Sequence, residues 1–231
     1  MIAIILFLAA YNLRKKFSLP VLISSHIWLR VHIGVALVGI IVFFLHTESI
    51  WPLGIVERFL MIFWLIATIS GFVGLFLTRT LPRRLTGKGQ EVVFEVIPER
   101  RRIIRLRVEA LVENSIERTL FTTVSYFFTD HLRDFFYGPK NTLQHLFGGS
   151  LMIDRMIRQI ENKKKYLNET EQSILSEIAE NAVAKDNLDF HFSLQLVLKI
   201  WLFVHIPVTY SLILMAVVHI IFVYAFSGRG I

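Results

Sequence analysis

Cysteine is missing from all 231 residues. That excludes disulfides, thiolate-bound iron–sulfur clusters, covalently attached c-type haem and a cysteine nucleophile. A glycine-rich phosphate loop is also lacking. The nearest candidate, "LFGGSL" around Gly148 and Gly149, follows no strand pattern and has no lysine in place. It reads as a turn between helices. No internal repeat or low-complexity tract occurs. Formal charge is lacking over three long stretches: 59–78 for 20 residues, 200–228 for 29 and 31–45 for 15. The last is extended backwards across Arg30 by Ile27, Trp28 and Leu29.

A helix needs about 20 apolar residues to cross the hydrocarbon core. With 54% hydrophobic residues and a mean hydropathy of +0.57, the chain is too apolar for an ordinary soluble domain. The three uncharged runs predict three spans. A fourth apolar stretch, 1–13, is short for a span. Its basic residues Arg14, Lys15 and Lys16 follow it rather than precede it, which favours a retained membrane helix over a cleaved signal.

The net charge of +7 reads as topology. Basic residues gather at alternate ends of the runs: Arg14 to Lys16, Arg30, Arg79, Arg83, Arg84, Lys88 and Lys199 on one side. Only Glu48, Glu57, Arg58 and Arg229 mark the other. Flanking Lys and Arg identify the cytoplasmic face. The expected course is out-to-in, in-to-out, out-to-in and in-to-out, within a cytoplasmic membrane of the bacterial type. A nucleic-acid partner is not expected.

The fold class expected is all-α: a transmembrane four-helix bundle, its first helix short, with a helical cytoplasmic insertion between the third and fourth helices. Residues 1–78 carry the first three helices, 79–191 the insertion, and 192–231 the fourth helix with a short outer tail. The insertion opens on a loop marked by Pro82, Gly87 and Gly89. "EVVFEVI" at 91–97 reads as a short strand or extended stretch. Pro98 then opens a long helical pattern, in keeping with proline's place in a first helical turn. "GPKN" at 138–141 ends it, and a helix covers about 142–165. Asn168 and Glu171 form a capping-box variant at the start of a further helix.

Eight histidines are present, and four fall in the expected membrane spans, His46 directly after the 31–45 run. His32 and His46 are 14 residues apart, and so are His205 and His219. Fourteen residues fall about 40° short of four helical turns and rise about 21 Å. Each pair therefore shares a helix face, with one imidazole near each edge of the hydrocarbon. The second and fourth helices run the same way, so His32 levels with His205 on the inner side and His46 with His219 on the outer. Two level pairs of imidazoles suit two stacked, non-covalent, bis-histidine haems. Ionisable groups inside spans default to a functional reading. The bland reading of any one is a helix-to-helix hydrogen bond; four at two equal spacings argue against it. A metal transporter gathers its ligands at one depth near the midplane, and these form two.

Gly39 lies seven residues from both His32 and His46, where a missing side chain leaves room between porphyrins or lets helices pack closely. Gly34, Ser70, Gly71 and Gly74 carry the same double reading. Arg30 and Lys199 stand where inner haem propionates emerge, as do Arg79, Arg83 and Arg84, with Arg58 and Arg229 at the outer edge; topology also explains them all. Pro207 removes a backbone hydrogen bond next to His205. His26 reads as interfacial, and His131, His145 and His191 as ordinary.

"RVHIGVALVGIIVFFLHT" and "FVHIPVTYSLILMAVVHIIF" resemble the paired ligand helices of transmembrane di-haem b-type cytochromes. Ligands on the second and fourth of four helices are similar to the amino-terminal half of cytochrome b from quinol–cytochrome c oxidoreductases. The resemblance covers about half the chain. It implies two haem b, with His32 and His205 on the inner iron and His46 and His219 on the outer. Departures are a missing Pro-Glu-Trp-Tyr loop, the long insertion and an opposite predicted direction of the ligand helices. The function expected is a membrane-integral electron-transfer subunit, moving electrons between a quinone or redox partner and another redox protein. The lipid bilayer and other redox subunits are the expected partners. The rival class is a non-haem membrane protein using its histidines for metal or proton transport, or a membrane anchor.

Overall fold

In a computed structural model, residues 1–17, 24–47, 52–87, 92–119, 122–149 and 151–227 are described. These are almost wholly helical, with no strand among them. The helices are α1 (Ile2–Phe17), α2 (Ser25–His46), α3 (Ile55–Thr86), α4 (Ile97–Thr119), α5 (Thr123–Phe127), α6 (Arg133–Phe136), α7 (Thr142–Leu146), α8 (Leu151–Lys164) and α9 (Glu169–Ser227). The chain divides into two compact units, Met1–Arg79 with Leu198–Ile231, and Thr80–Val197.

In the first unit, α2, α3 and the C-terminal part of α9 are long and apolar enough to cross a membrane. Their large apolar side chains point outward: Ile41 is 63% exposed, Ile69 62% and Phe203 80%. So much contiguous apolar surface is untenable in water and fits contact with lipid. The protein is therefore a membrane protein. At 16 residues α1 is shorter than a span needs, and it packs antiparallel on α2. A small core joins the four, with Ile5, Phe43, Met61, Trp64, Leu212 and Ala216 buried together. Phe43 and Trp64 stack with ring centroids 3.6 Å apart.

The second unit is a helical domain around Val108, Phe128, Leu132, Phe136, Ile160, Leu175 and Ile178. Its local signals follow the sequence. Asn168 Oδ1 accepts from the Glu171 amide at 2.8 Å, and Glu171 reaches back to the Asn168 amide at 3.4 Å. Pro98 sits in the first turn of α4. Asn141 has left-handed backbone (φ 59°), and Gly148 at φ +83° separates α7 from α8.

Five expectations need correcting. The loop expected at Pro82 is helix, since α3 continues through that proline to Thr86. The helix expected over about 142–165 is two, α7 and α8, parted around Gly148. Phe94–Val96 is a 3-10 turn leading into α4, not a strand. The long pattern after Pro98 is broken: α4 stops at Thr119, and a π-helical turn at Phe128–Leu132 separates α5 from α6. The fourth span and the helix before it are one element, since α9 runs unbroken for 59 residues. The shift from polar to apolar composition near 191 suggested a boundary. Nothing there stops a helix, because 169–206 contains neither glycine nor proline. The division between units falls at 197/198 rather than 191/192.

The second unit also buries charge. Asp189 is fully buried and accepts from Arg101 Nη1 at 3.2 Å, from the Lys140 amide at 3.0 Å and from Lys185 Nζ. Lys185 is itself fully buried, with its ammonium over the Phe135 ring at 4.1 Å. Burial pulls the Lys185 pKa below the ordinary lysine value of 10.5, against the opposing pull of Asp189. Asp189→Asn strips two buried cations of their counter-charge and is expected to cost about 3–5 kcal/mol, read as a lowered unfolding midpoint in detergent. A lysine with a depressed folded pKa adds stability above its unfolded pKa, and that stability is lost as pH falls through the depressed value. Wild-type stability relative to Lys185→Met is therefore expected to rise as pH approaches 10.5. A difference independent of pH, in parallel thermal melts, contradicts this.

Candidate functional site

A polar ring on an apolar helix needs a partner, and α3 supplies one. Ser70 Oγ lies 3.0 Å from His205 Nδ1. The Ser70 carbonyl accepts from the Trp201 indole N–H at 2.8 Å. Trp201 precedes His205 by four residues, so both rings project from one face of α9. They stack with centroids 5.4 Å apart and planes 24° from parallel. Gly74, one turn beyond Ser70, makes room for this. A Cβ there collides with the indole ring. Ser70 and Gly74 form a small-residue seat for α9, as expected of closely packed membrane helices.

His32 on α2 is half-buried at the level of His205, eleven residues before Phe43 as His205 is eleven before Ala216. The two helices run in the same direction: His32 levels with His205, and Phe43 joins Leu212 and Ala216 in the core. The inner pair thus shares one level. His205 engages Ser70 through Nδ1, and Nε2 has no hydrogen-bond partner among the described residues.

The outer pair is placed differently. His219 Nδ1 is buried and stands 3.5 Å from Glu57 Oε1, in the first turn of α3. The two groups are within ion-pair reach without making an aligned hydrogen bond. His46 is the last residue of α2 and is exposed, without a described contact to His219. Both 14-residue spacings nevertheless lie in unbroken helix, including across Pro207.

The other candidates divide. Gly39 is buried against α1, where a Cβ would come 3.2 Å from Ile4 Cγ2, so its small size serves helix approach. Gly34 and Gly71 face open space. Arg30 and Lys199 are exposed, as is His26. Arg58 is engaged, donating to the carbonyls of Pro52 at 3.0 Å and Leu53 at 2.9 Å. In the second unit Arg84 donates to the carbonyls of His145 and Leu146 at the end of α7. Glu48, Lys88 and Arg229 lie outside the described residues. His145 and His191, read as ordinary, are 1% exposed, and His145 Nε2 lies 3.4 Å from Asp186.

Ser70 and Trp201 are the residues that sequence reasoning passed over as partners of His205. Their signals were present but weak: a hydroxyl in mid-span and an indole four residues before a histidine. No protein-family profile, curated protein or solved structure matches the chain.

The donor set fits haem at the His32–His205 level: two imidazoles share one depth, one with its Nδ1 held by Ser70. Among the described residues, no three or more His, Asp or Glu come together to hold a bare metal ion. Filling the glycine seat tests the packing. Gly74→Val forces the Trp201 indole off α3 and is expected to cost about 1–3 kcal/mol. An unchanged melting temperature in detergent overturns that account.

Proposed function

We propose that this chain is a di-haem b-type cytochrome subunit that passes electrons across a membrane. The observation that supports the reading is the shared level of His32 and His205 on parallel helices, with Ser70 Oγ 3.0 Å from His205 Nδ1. Metal-bound histidine commonly donates its second ring N–H to an oxygen partner, which sets tautomer and orientation. When bound, haem supplies a one-electron ferric–ferrous couple.

In this reading His32 and His205 hold the inner haem, and His46 and His219 the outer. Closing the outer site requires the exposed His46 ring to turn toward α9. Trp201 and Ser70 keep the His205 plane fixed, so the ligand changes little between oxidation states. Lipid-facing side chains of α2, α3 and α9 exclude water from both levels. Arg30 and Lys199 stand on the cytoplasmic side, near the expected propionates, and the second unit lies on that side too. The membrane is of the bacterial cytoplasmic type. Donor and acceptor are a quinone or redox protein on one side and a redox protein on the other, which makes the chain one subunit of a larger complex.

Purified protein is expected to show the reduced α-band of b-type haem, with about two haems per chain. His205→Ala is expected to lose the inner haem and keep the outer, halving the haem content. A colourless preparation holding stoichiometric chelatable metal, or His205→Ala with both haems intact, overturns the assignment.

A further inference from the structure

Leu143 and Phe147 are four residues apart on the short α7 turn and project to the same side. Phe147 is 89% exposed and Leu143 72%. The other side of α7 is fixed, because His145 is buried with its ring edge-on to Phe190 of α9 at 5.9 Å. Gly148, at φ +83°, then turns the chain, and the Gly149 amide donates to the Gln144 carbonyl at 2.8 Å. Leu151 and Met152, also exposed, open α8 just beyond. One hydrogen-bonded corner thus presents four large apolar side chains outward. α8 continues the pattern. Its Ile153, Met156 and Ile160 are buried in the second unit. At 3.6 residues per turn, Arg155 and Arg158 fall within about 40° of Leu151 on the exposed face. The acids Asp154 and Glu161 lie to the flank, about 60° and 80° from Leu151. Glu161 is also paired with Lys164 at 3.0 Å.

This corner is tied to a membrane helix. Arg84 donates to the carbonyls of His145 and Leu146, and a Cβ on Gly148 would come 3.7 Å from its Nη2. Arg84 belongs to α3 and stands six residues beyond Thr78, the last of that helix's uncharged run. Six residues rise about 9 Å. The headgroup layer extends about 5–8 Å beyond the hydrocarbon on each side. The group that holds the corner therefore emerges at the headgroup surface. We propose that the α7–α8 corner is an in-plane membrane anchor: Leu143, Phe147, Leu151 and Met152 enter the acyl boundary of the leaflet where α3 ends, and Arg155 and Arg158 bind anionic headgroups. An apolar tip beside a basic face is how a helix lies at a lipid boundary. Anionic lipid complements that charge, and the Arg84 tether sets the depth. The anchor gives the second unit a hold on lipid of its own and does not rest on the haem reading.

Because the chain has no cysteine, one introduced thiol can report depth. The full chain carrying Phe147→Cys, labelled with a nitroxide, is reconstituted in phosphatidylcholine vesicles with and without phosphatidylglycerol. In electron paramagnetic resonance power saturation, the label is expected to collide more with oxygen than with a neutral aqueous nickel chelate. Leu151→Cys gives the same readout should Phe147→Cys fail to accumulate. Arg155→Glu combined with Arg158→Glu is expected to shift collisions toward the chelate in phosphatidylglycerol vesicles and to change little in phosphatidylcholine alone. A label freely reached by the chelate in both vesicle types overturns the anchor. A label shielded from both collision partners does so too, since it places a second copy or another protein on the corner. Indifference to the charge reversal overturns the assignment to anionic lipid. A colourless protein sinks the haem reading and leaves this test in force.

Discussion

An imidazole in an apolar helix must have a partner, and that requirement organises the first unit. His205 finds Ser70 on α3. To reach it, α9 must lie close, and Gly74 permits this by taking the Trp201 indole against its bare backbone. The indole N–H is satisfied at the Ser70 carbonyl, so one turn of α3 serves two polar groups of α9. His32 comes to the same level because α2 runs parallel to α9 and packs on α3 through Phe43 and Trp64. Helix direction, glycine placement and ring orientation all follow from placing one ring in a medium that cannot solvate it.

The same rule operates in the second unit with full charges. Asp189 is surrounded by Arg101, Lys185 and the Lys140 amide, and Asp189 and Lys185 are fully enclosed. Lys185 and Asp189 are one helical turn apart on α9, and Arg101 comes from α4 to close the arrangement. A buried arrangement of this kind adds little net stability, yet removing one member is costly. It therefore fixes how α4 meets α9 more than how tightly.

The parts of the structure legible in the sequence are those with local causes. Apolar runs gave three long helices able to span a membrane, and Asn168 and Glu171 gave a cap. The parts that were illegible depend on distant pairing. "AVAKDNLD" looks like a solvated helix face, and only the fold shows that Lys185 and Asp189 are enclosed. Ser70 read as a small packing residue because its partner stands 135 positions away. The unity of α9 was missed because hydropathy was taken as a boundary, although hydrogen bonding continues through a change of surroundings. The extended reading of 91–97 failed because α4 begins at Ile97, inside that segment, and its preceding residues wind into a 3-10 turn.

That separation of 135 positions between Ser70 and His205 also constrains biogenesis. The whole second unit is made between them. The nascent chain thus holds α3 in the membrane with its polar seat open while the intervening domain emerges and folds. Only insertion of the apolar part of α9 closes the seat. Assembly of this site therefore follows synthesis of the second unit, and any group it receives arrives after the apolar part of α9 has been made.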